Sequence, residues 1–231
     1  MKLHYLALAC LIILFSQDGI AQGSEIELQF IPSLTNLRGN SFVERVADPT
    51  FHLSVSLGYN YVLKNNFLFK GAIVYDSKGA DGSDDFEYRD DFNNPIGTRT
   101  IEMKNDYKYI TVPLQFGRRF GKKVKFDVAF GGYASFFIKN VLQFVADGDV
   151  STASRDEHNN APGEMDFGLT GSASVYLPLG KKLSFKLGIQ DNLGLVDISK
   201  YNDLKYTGDG VKHNSMGLHV GLNLRLASTA N

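Results

Sequence analysis

Residues 215–226, SMGLHVGLNLRL, alternate strictly between apolar and polar side chains. Met216, Leu218, Val220, Leu222, Leu224 and Leu226 share one parity; Ser215, Gly217, His219, Gly221, Asn223 and Arg225 share the other. A helix would scatter both sets around its circumference, so the segment is a strand. The same period runs through 51–63, 124–138, 166–177 and 183–190, and more faintly through 25–30 and 67–76. Residues 109–117, YITVPLQFG, add another: Ile110, Val112, Leu114 and Phe116 oppose Tyr109, Thr111, Pro113 and Gln115. The pattern predicts about eight strands, each near the roughly 9–11 residues that cross a bilayer at a tilt.

The connections form a second pattern. Long segments at about 35–49, 77–106, 139–165 and 195–212 alternate with short ones at 64–66, 121–123 and 180–182. In an up-and-down meander, successive connections lie at opposite ends. Four long loops would therefore gather at one end and three tight turns at the other, as in an outer-membrane barrel. The predicted fold is all-β: a closed, antiparallel, up-and-down transmembrane barrel.

Alternation alone leaves open which face looks inward, because a lipocalin-type barrel is apolar inside. Here the polar face carries Ser, Gly, Thr, Gln and Asn with scattered charges. That suits a narrow, crowded lumen better than a water-facing wall. Aromatic residues near the strand ends (Tyr59, Tyr61, Phe67 and Phe120 toward the turns; Tyr75, Tyr107 and Phe137 toward the loops) fit interfacial girdles. Pro113 shares the lumen parity, where a side chain, a water or a bulge can answer the carbonyl its missing N–H leaves unbonded.

Composition then narrows the class. The 231 residues suffice for a single large all-β domain, and a net charge of −1 offers no basic surplus for nucleic acid. Residues 1–21 read as a signal peptide: Lys2, an apolar run from Tyr5 to Phe15, and small residues at Gly19 and Ala21. A single barrel domain would occupy 22–231. Cys10 is the sole cysteine and falls inside that leader, so thiol chemistry is not expected in the exported chain.

The stretch YKYITVPLQFGRRFGKKVKFDVAFGGYASFFI resembles the PorT-type outer-membrane β-barrel family of Bacteroidota, with its Tyr-x-x-x-Pro-Leu strand, short Gly/Lys turn and aromatic-Gly-Gly-Tyr strand. DFGLTGSASVYLPLGKKLSFKLGIQDNLGLVDI is similar to the family's next hairpin. The resemblance implies a barrel in the outer membrane, reached by signal-directed export. Some members serve in secretion. Many barrels of this compartment end on an aromatic residue, whereas this chain ends RLASTAN.

Candidate chemistry is sparse. Asp81, Asp84, Asp85 and Glu87 are hard oxygen ligands in an acidic stretch, without EF-hand spacing. A solvated or cation-bridged loop over lipopolysaccharide is the simpler reading. Ser151, Ser154, Asp156, Glu157 and His158 contain the residue types of a lipid hydrolase or acyltransferase, but nothing in their spacing fixes a nucleophile beside a base. Arg119, Asp127, Asp166, Lys186, His219 and Arg225, with Glu27, are expected to form an internal hydrogen-bonded and ionic lumen network. Lys64, Lys122, Lys123, Lys181 and Lys182 sit on the short turns, within reach of periplasmic-leaflet phosphates. No cofactor is expected. The expected partners are outer-membrane lipid, lipopolysaccharide and surface or periplasmic proteins. The expected role is non-enzymatic: surface interaction, envelope integrity, or assistance to secretion or assembly. The alternative is a secreted lipocalin-like binder of an apolar ligand.

Overall fold

The computed structural model describes residues 21–39, 47–63, 65–90, 92–146, 149–156, 165–198 and 210–226; the predicted signal peptide lies almost wholly outside them. The strands are β1 (Ala21–Arg38), β2 (Ala47–Asp48), β3 (Thr50–Leu63), β4 (Phe67–Arg89), β5 (Pro95–Phe120), β6 (Lys125–Ala146), β7 (Asp149–Asp156), β8 (Met165–Pro178), β9 (Leu183–Gly194) and β10 (Lys212–Arg225). Eight of them close a ring in the order β1-β3-β4-β5-β6-β8-β9-β10, with β1 paired antiparallel to β10. β2 pairs with β4 and β7 with β6, outside the ring.

Side-chain parity decides the facing. Phe30, Leu57, Leu114, Phe130 and Leu218 are each more than half exposed on the outer wall, at 53, 57, 65, 62 and 55%. Glu25, Glu27, Lys70, Arg119, Asp127, Asp166, Lys186 and His219 are buried inside. A ring of exposed Leu, Phe, Val and Ile around a polar, charged interior inverts a water-soluble protein and matches a wall solvated by lipid. It also excludes the lipocalin-like facing.

Local chemistry sets the short turns. Asn66 adopts φ 65°, a left-handed value that asparagine tolerates, and its N–H bonds to the Leu63 carbonyl at 3.0 Å. Gly121 opens the β5–β6 turn at φ 88°, and a Cβ there would stand 2.1 Å from the Val124 carbonyl oxygen. Only glycine fits that corner.

Two of the predicted long loops are instead paired strand. The segment 77–106 continues β4 and β5 as one ladder from Ser77↔Lys108 to Arg89↔Pro95. Within the segment 139–165, residues 139–146 carry β6 onward and 149–156 return as β7, from Lys139↔Asp156 to Ala146↔Asp149, while 157–164 lie outside the described residues. From residue 81 to 104 and from 141 to 146 no described residue is fully buried on either face, so no one-sided apolar pattern arises and periodicity could not reveal these parts.

Pro113 points inward and is buried, as its parity requires. On one side it pairs with Tyr133 of β6. On the other, the β4–β5 ladder passes from Gly71↔Leu114 to Val74↔Thr111 without a change of register. Proline has no N–H to give the Ala72 carbonyl, so pairing lapses at Ala72 with Pro113 and at Ile73 with Val112. The barrel tolerates the proline by forgoing a ladder hydrogen bond, without a bulge.

The girdle expectation needs correcting at the loop end. Tyr75 faces outward at 45% exposure, but Tyr107 and Phe137 turn inward. They pack with Tyr109, Ile198 and Val211, and with Leu37 at the margin, into an apolar plug across the lumen. Both follow the inward parity of Thr111 and Ser135 on their own strands; a register shift between Lys108 and Tyr109, with Ile138 the extra residue opposite, then moves the inward parity of β6 from Phe137 to Asn140.

Candidate functional site

Alternation in eight strands brings inward-facing polar residues from distant parts of the chain to one axis. At the turn end, Arg119 of β5 makes a two-pronged contact with Asp127 of β6, Nε–Oδ1 2.7 Å and Nη2–Oδ2 2.8 Å, and its Nη1 reaches Glu25 of β1 at 2.7 Å. The paired geometry of guanidinium and carboxylate makes this the strongest kind of ion pair available to side chains. Arg225 is looser: its Nε lies 3.7 Å from Glu25 and the side chain is 40% exposed at the mouth.

One turn inward, Glu27 is a hub. It accepts from Lys186 (2.8 Å), Tyr176 (2.7 Å), Asn60 (2.6 Å), Gln29 (2.8 Å) and Asn223 (3.1 Å). Those donors come from β1, β3, β8, β9 and β10, so a single carboxylate ties five strands across the tube. Higher still, Lys78 bonds to Asp166 at 3.2 Å and Ser135 at 3.1 Å, and lies 3.4 Å from Asp76. Tyr133 donates to the same Asp166, and Ser54 and Thr111 donate to Asp76. Three levels of ion pairs and the tyrosine plug occupy the lumen.

The predicted lumen residues thus sit in three places. Arg119 and Asp127 meet directly, Lys186 meets Glu27, and Asp166 meets Lys78. His219 is buried with neither ring nitrogen bonded, and Arg225 sits at the rim. Sequence reading missed Lys70, Asp76 and Lys78 as lumen residues, although the β4 alternation of Phe69/Lys70 and Tyr75/Asp76 carried that signal.

The acidic stretch does not converge. Along β4, Asp81 and Glu87 lie roughly 20 Å apart in an extended strand, and Asp84 has the opposite parity. Asp81 accepts from Thr50, Asp85 from Thr100 and Glu87 from Arg89. Among the described residues, no three His, Cys, Asp or Glu side chains gather as a metal-holding group. Glu157 and His158 lie outside the described residues. At the loop-side rim, Ser77 Oγ lies 2.8 Å from His52 Nδ1 and 2.7 Å from Asp106 Oδ1, and accepts from Lys108 at 2.8 Å. The acid contacts the serine itself, and His52 Nε2 has no partner, so nothing holds this imidazole as a base between nucleophile and acid. Ser77 is also only 2% exposed.

Three solved barrels overlap the chain along most of its length. Neisserial surface protein A does so at TM-score 0.43 and 13% identity, over 89% of this chain and 99% of that one. OprG from Pseudomonas aeruginosa gives 0.40 and 11%, over 90% and 98%. The outer membrane protease OmpT from Escherichia coli gives 0.44 and 9%, over 91% and 99%. No curated protein matches the sequence. Residues 16–200 match the family described as outer membrane protein beta-barrel domain. With its closed eight-stranded ring, lipid-facing wall and sealed polar lumen, the chain belongs to that family and is a small β-barrel of the outer membrane.

Proposed function

We propose that the barrel is a non-enzymatic anchor that acts by contact at the cell surface, through the sheet that β4, β5, β6 and β7 raise above the membrane. The observation that carries this reading is strand length. β4, β5 and β6 have 23, 26 and 22 residues. About 11 suffice to span the bilayer, so each continues for roughly 40 Å of paired strand beyond it. Paired strands hold their shape without a partner; Ile96 and Val150 are exposed on them at 68 and 61%, and Phe92 at 86% in the β4–β5 turn. Exposed apolar side chains on a rigid support suit protein recognition. Asp84, Asp85 and Glu87 in the same sheet would meet lipopolysaccharide through bridging divalent cations. The filled lumen supports contact over conduction.

A second reading draws on the resemblance to PorT-type barrels: assistance to secretion or assembly from the periplasmic side. Lys122, Lys123, Lys125, Lys181, Lys182 and Arg225 ring a cavity of about 300 Å³ at the turn end. Such a basic mouth suits an acidic periplasmic partner.

Photo-crosslinking on living cells separates the two. Crosslinkers at Phe92 and Ile96 are expected to trap a surface partner. Replacing residues 83–102 by a two-residue Asn-Gly turn should abolish the adduct and leave the barrel folded. Adducts confined to positions 122 and 181 would transfer the function to the periplasmic mouth and sink the surface reading.

A further inference from the structure

Four cations are buried in the lumen: Lys70, Lys78, Arg119 and Lys186. Three have carboxylates at bonding distance. Lys70 forms no ion pair among the described residues, and its Nζ has no hydrogen-bond partner. An unpaired ammonium held away from water costs several kcal/mol. The site is nonetheless built to hold one, since Phe69 and Gly71 flank Lys70 in an unbroken inward-outward alternation.

Lys70 lines a cavity of about 30 Å³ in the wall of the lumen, and so does His219. Both ring nitrogens of His219 are buried and unbonded. Two unpartnered nitrogen side chains, each more than nine-tenths buried, therefore border one small space. Glu27 also borders it, but five donors already occupy that carboxylate. In this half of the lumen the buried Lys70, Arg119 and Lys186 stand against Glu25, Glu27 and Asp127, and Lys125 and Arg225 at the turn-side mouth add two further cations.

We propose that the cavity between Lys70 and His219 is a binding site for a small monovalent anion, a halide. The ammonium supplies the charge and donors, and the imidazole supplies one N–H. The space admits roughly two water-sized particles, given the 10–15 Å³ of such volume that each needs. An anion on the two nitrogens leaves room for one water, placed to donate to the Ala72 carbonyl that Pro113 cannot reach. Phosphate and carboxylates are too large. The ion neutralises Lys70 and joins β4 to β10 across the tube, completing the polar packing beside the ladder gap.

Two measurements test this. Crystals of the unaltered protein soaked in sodium bromide should show an anomalous peak between Lys70 Nζ and the His219 ring. The barrel, refolded in detergent with sodium gluconate at fixed ionic strength, should unfold about 3–6 °C higher when chloride reaches ten times its dissociation constant. The rise should saturate, and it should vanish in Lys70→Met. An ordered water with no bromide in the cavity overturns the proposal. So does a chloride response that is absent in the unaltered protein or unchanged in the variant. If Lys70→Met fails to refold, the bromide result on the unaltered protein still decides.

Discussion

Glu27→Ala is expected to destabilise the barrel by about 3–5 kcal/mol, the range found when one partner of a buried charge pair is removed. Lys186 Nζ would keep only Gln29 as an acceptor. Tyr176 and Asn60 would lose the acceptor that now faces their buried donors, and each stranded group adds about 1–3 kcal/mol of desolvation cost unless water enters. Because one carboxylate bridges five strands, the loss should be cooperative and should appear as unfolding of the whole barrel. Urea titration of the protein refolded in lipid vesicles would measure it. The chain has no tryptophan, so far-UV circular dichroism and the mobility shift on unheated gels are the suitable readouts. The double change Glu27→Leu with Lys186→Met should recover most of the loss, since it removes the stranded charge together with its partner. A single Glu27→Ala variant as stable as the parent would show that the hub contributes nothing.

Phe30→Arg is expected to cost about 2–4 kcal/mol, as a cation does at mid-depth on the lipid face of a barrel. Phe30 pairs with Val220 near the middle of the apolar bands on β1 and β10, which run from Ile26 to Leu34 and from Met216 to Leu224. Leu34→Arg, at the loop-side limit of the band, should cost only about 0–1 kcal/mol because its head group can reach the interface. The gradient between the two is the informative quantity. On a water-facing wall both exposed positions would accept arginine within about 0.5 kcal/mol. Equal, small effects at Phe30 and Leu34 would therefore contradict a lipid-facing wall, whatever the topology.

Sequence alone exposed the elements whose two faces meet different solvents. Each of the eight ring strands was visible because lipid on one side and a polar lumen on the other impose a period of two. The inward parity of Pro113 followed from the same rule. The extensions of β4, β5 and β6 were not visible, because beyond Tyr75 and Phe136 that difference ends. Tyr107 and Phe137 misled because aromatic residues near strand ends serve equally as girdle or plug, although their parity, shared with Thr111 and with Asp127 and Ser135, already placed them inside. The ion pairs were half legible. Parity put Arg119, Asp127, Asp166, Lys186 and His219 inside, but pairing depends on barrel tilt and stagger, which place Lys78 against an aspartate 88 residues away. The acidic stretch could be weighed as a metal site only while it was taken for a loop. As strand, its carboxylates are spread along one side of a hairpin and divided between its faces.

Pro32 leaves the β1–β10 ladder short of a hydrogen bond between Phe30↔Val220 and Ser33↔Gly217, and Pro113 leaves the same gap in the β4–β5 ladder. Above the second gap the long β4–β5 hairpin clamps the edges together, and below it Phe67↔Arg118 to Gly71↔Leu114 hold them again. In both places the register is the same on either side, so the hoop of strands stays closed. Each proline thus sits where the wall can spare a rung, with paired strand on both sides to keep lipid from the interior.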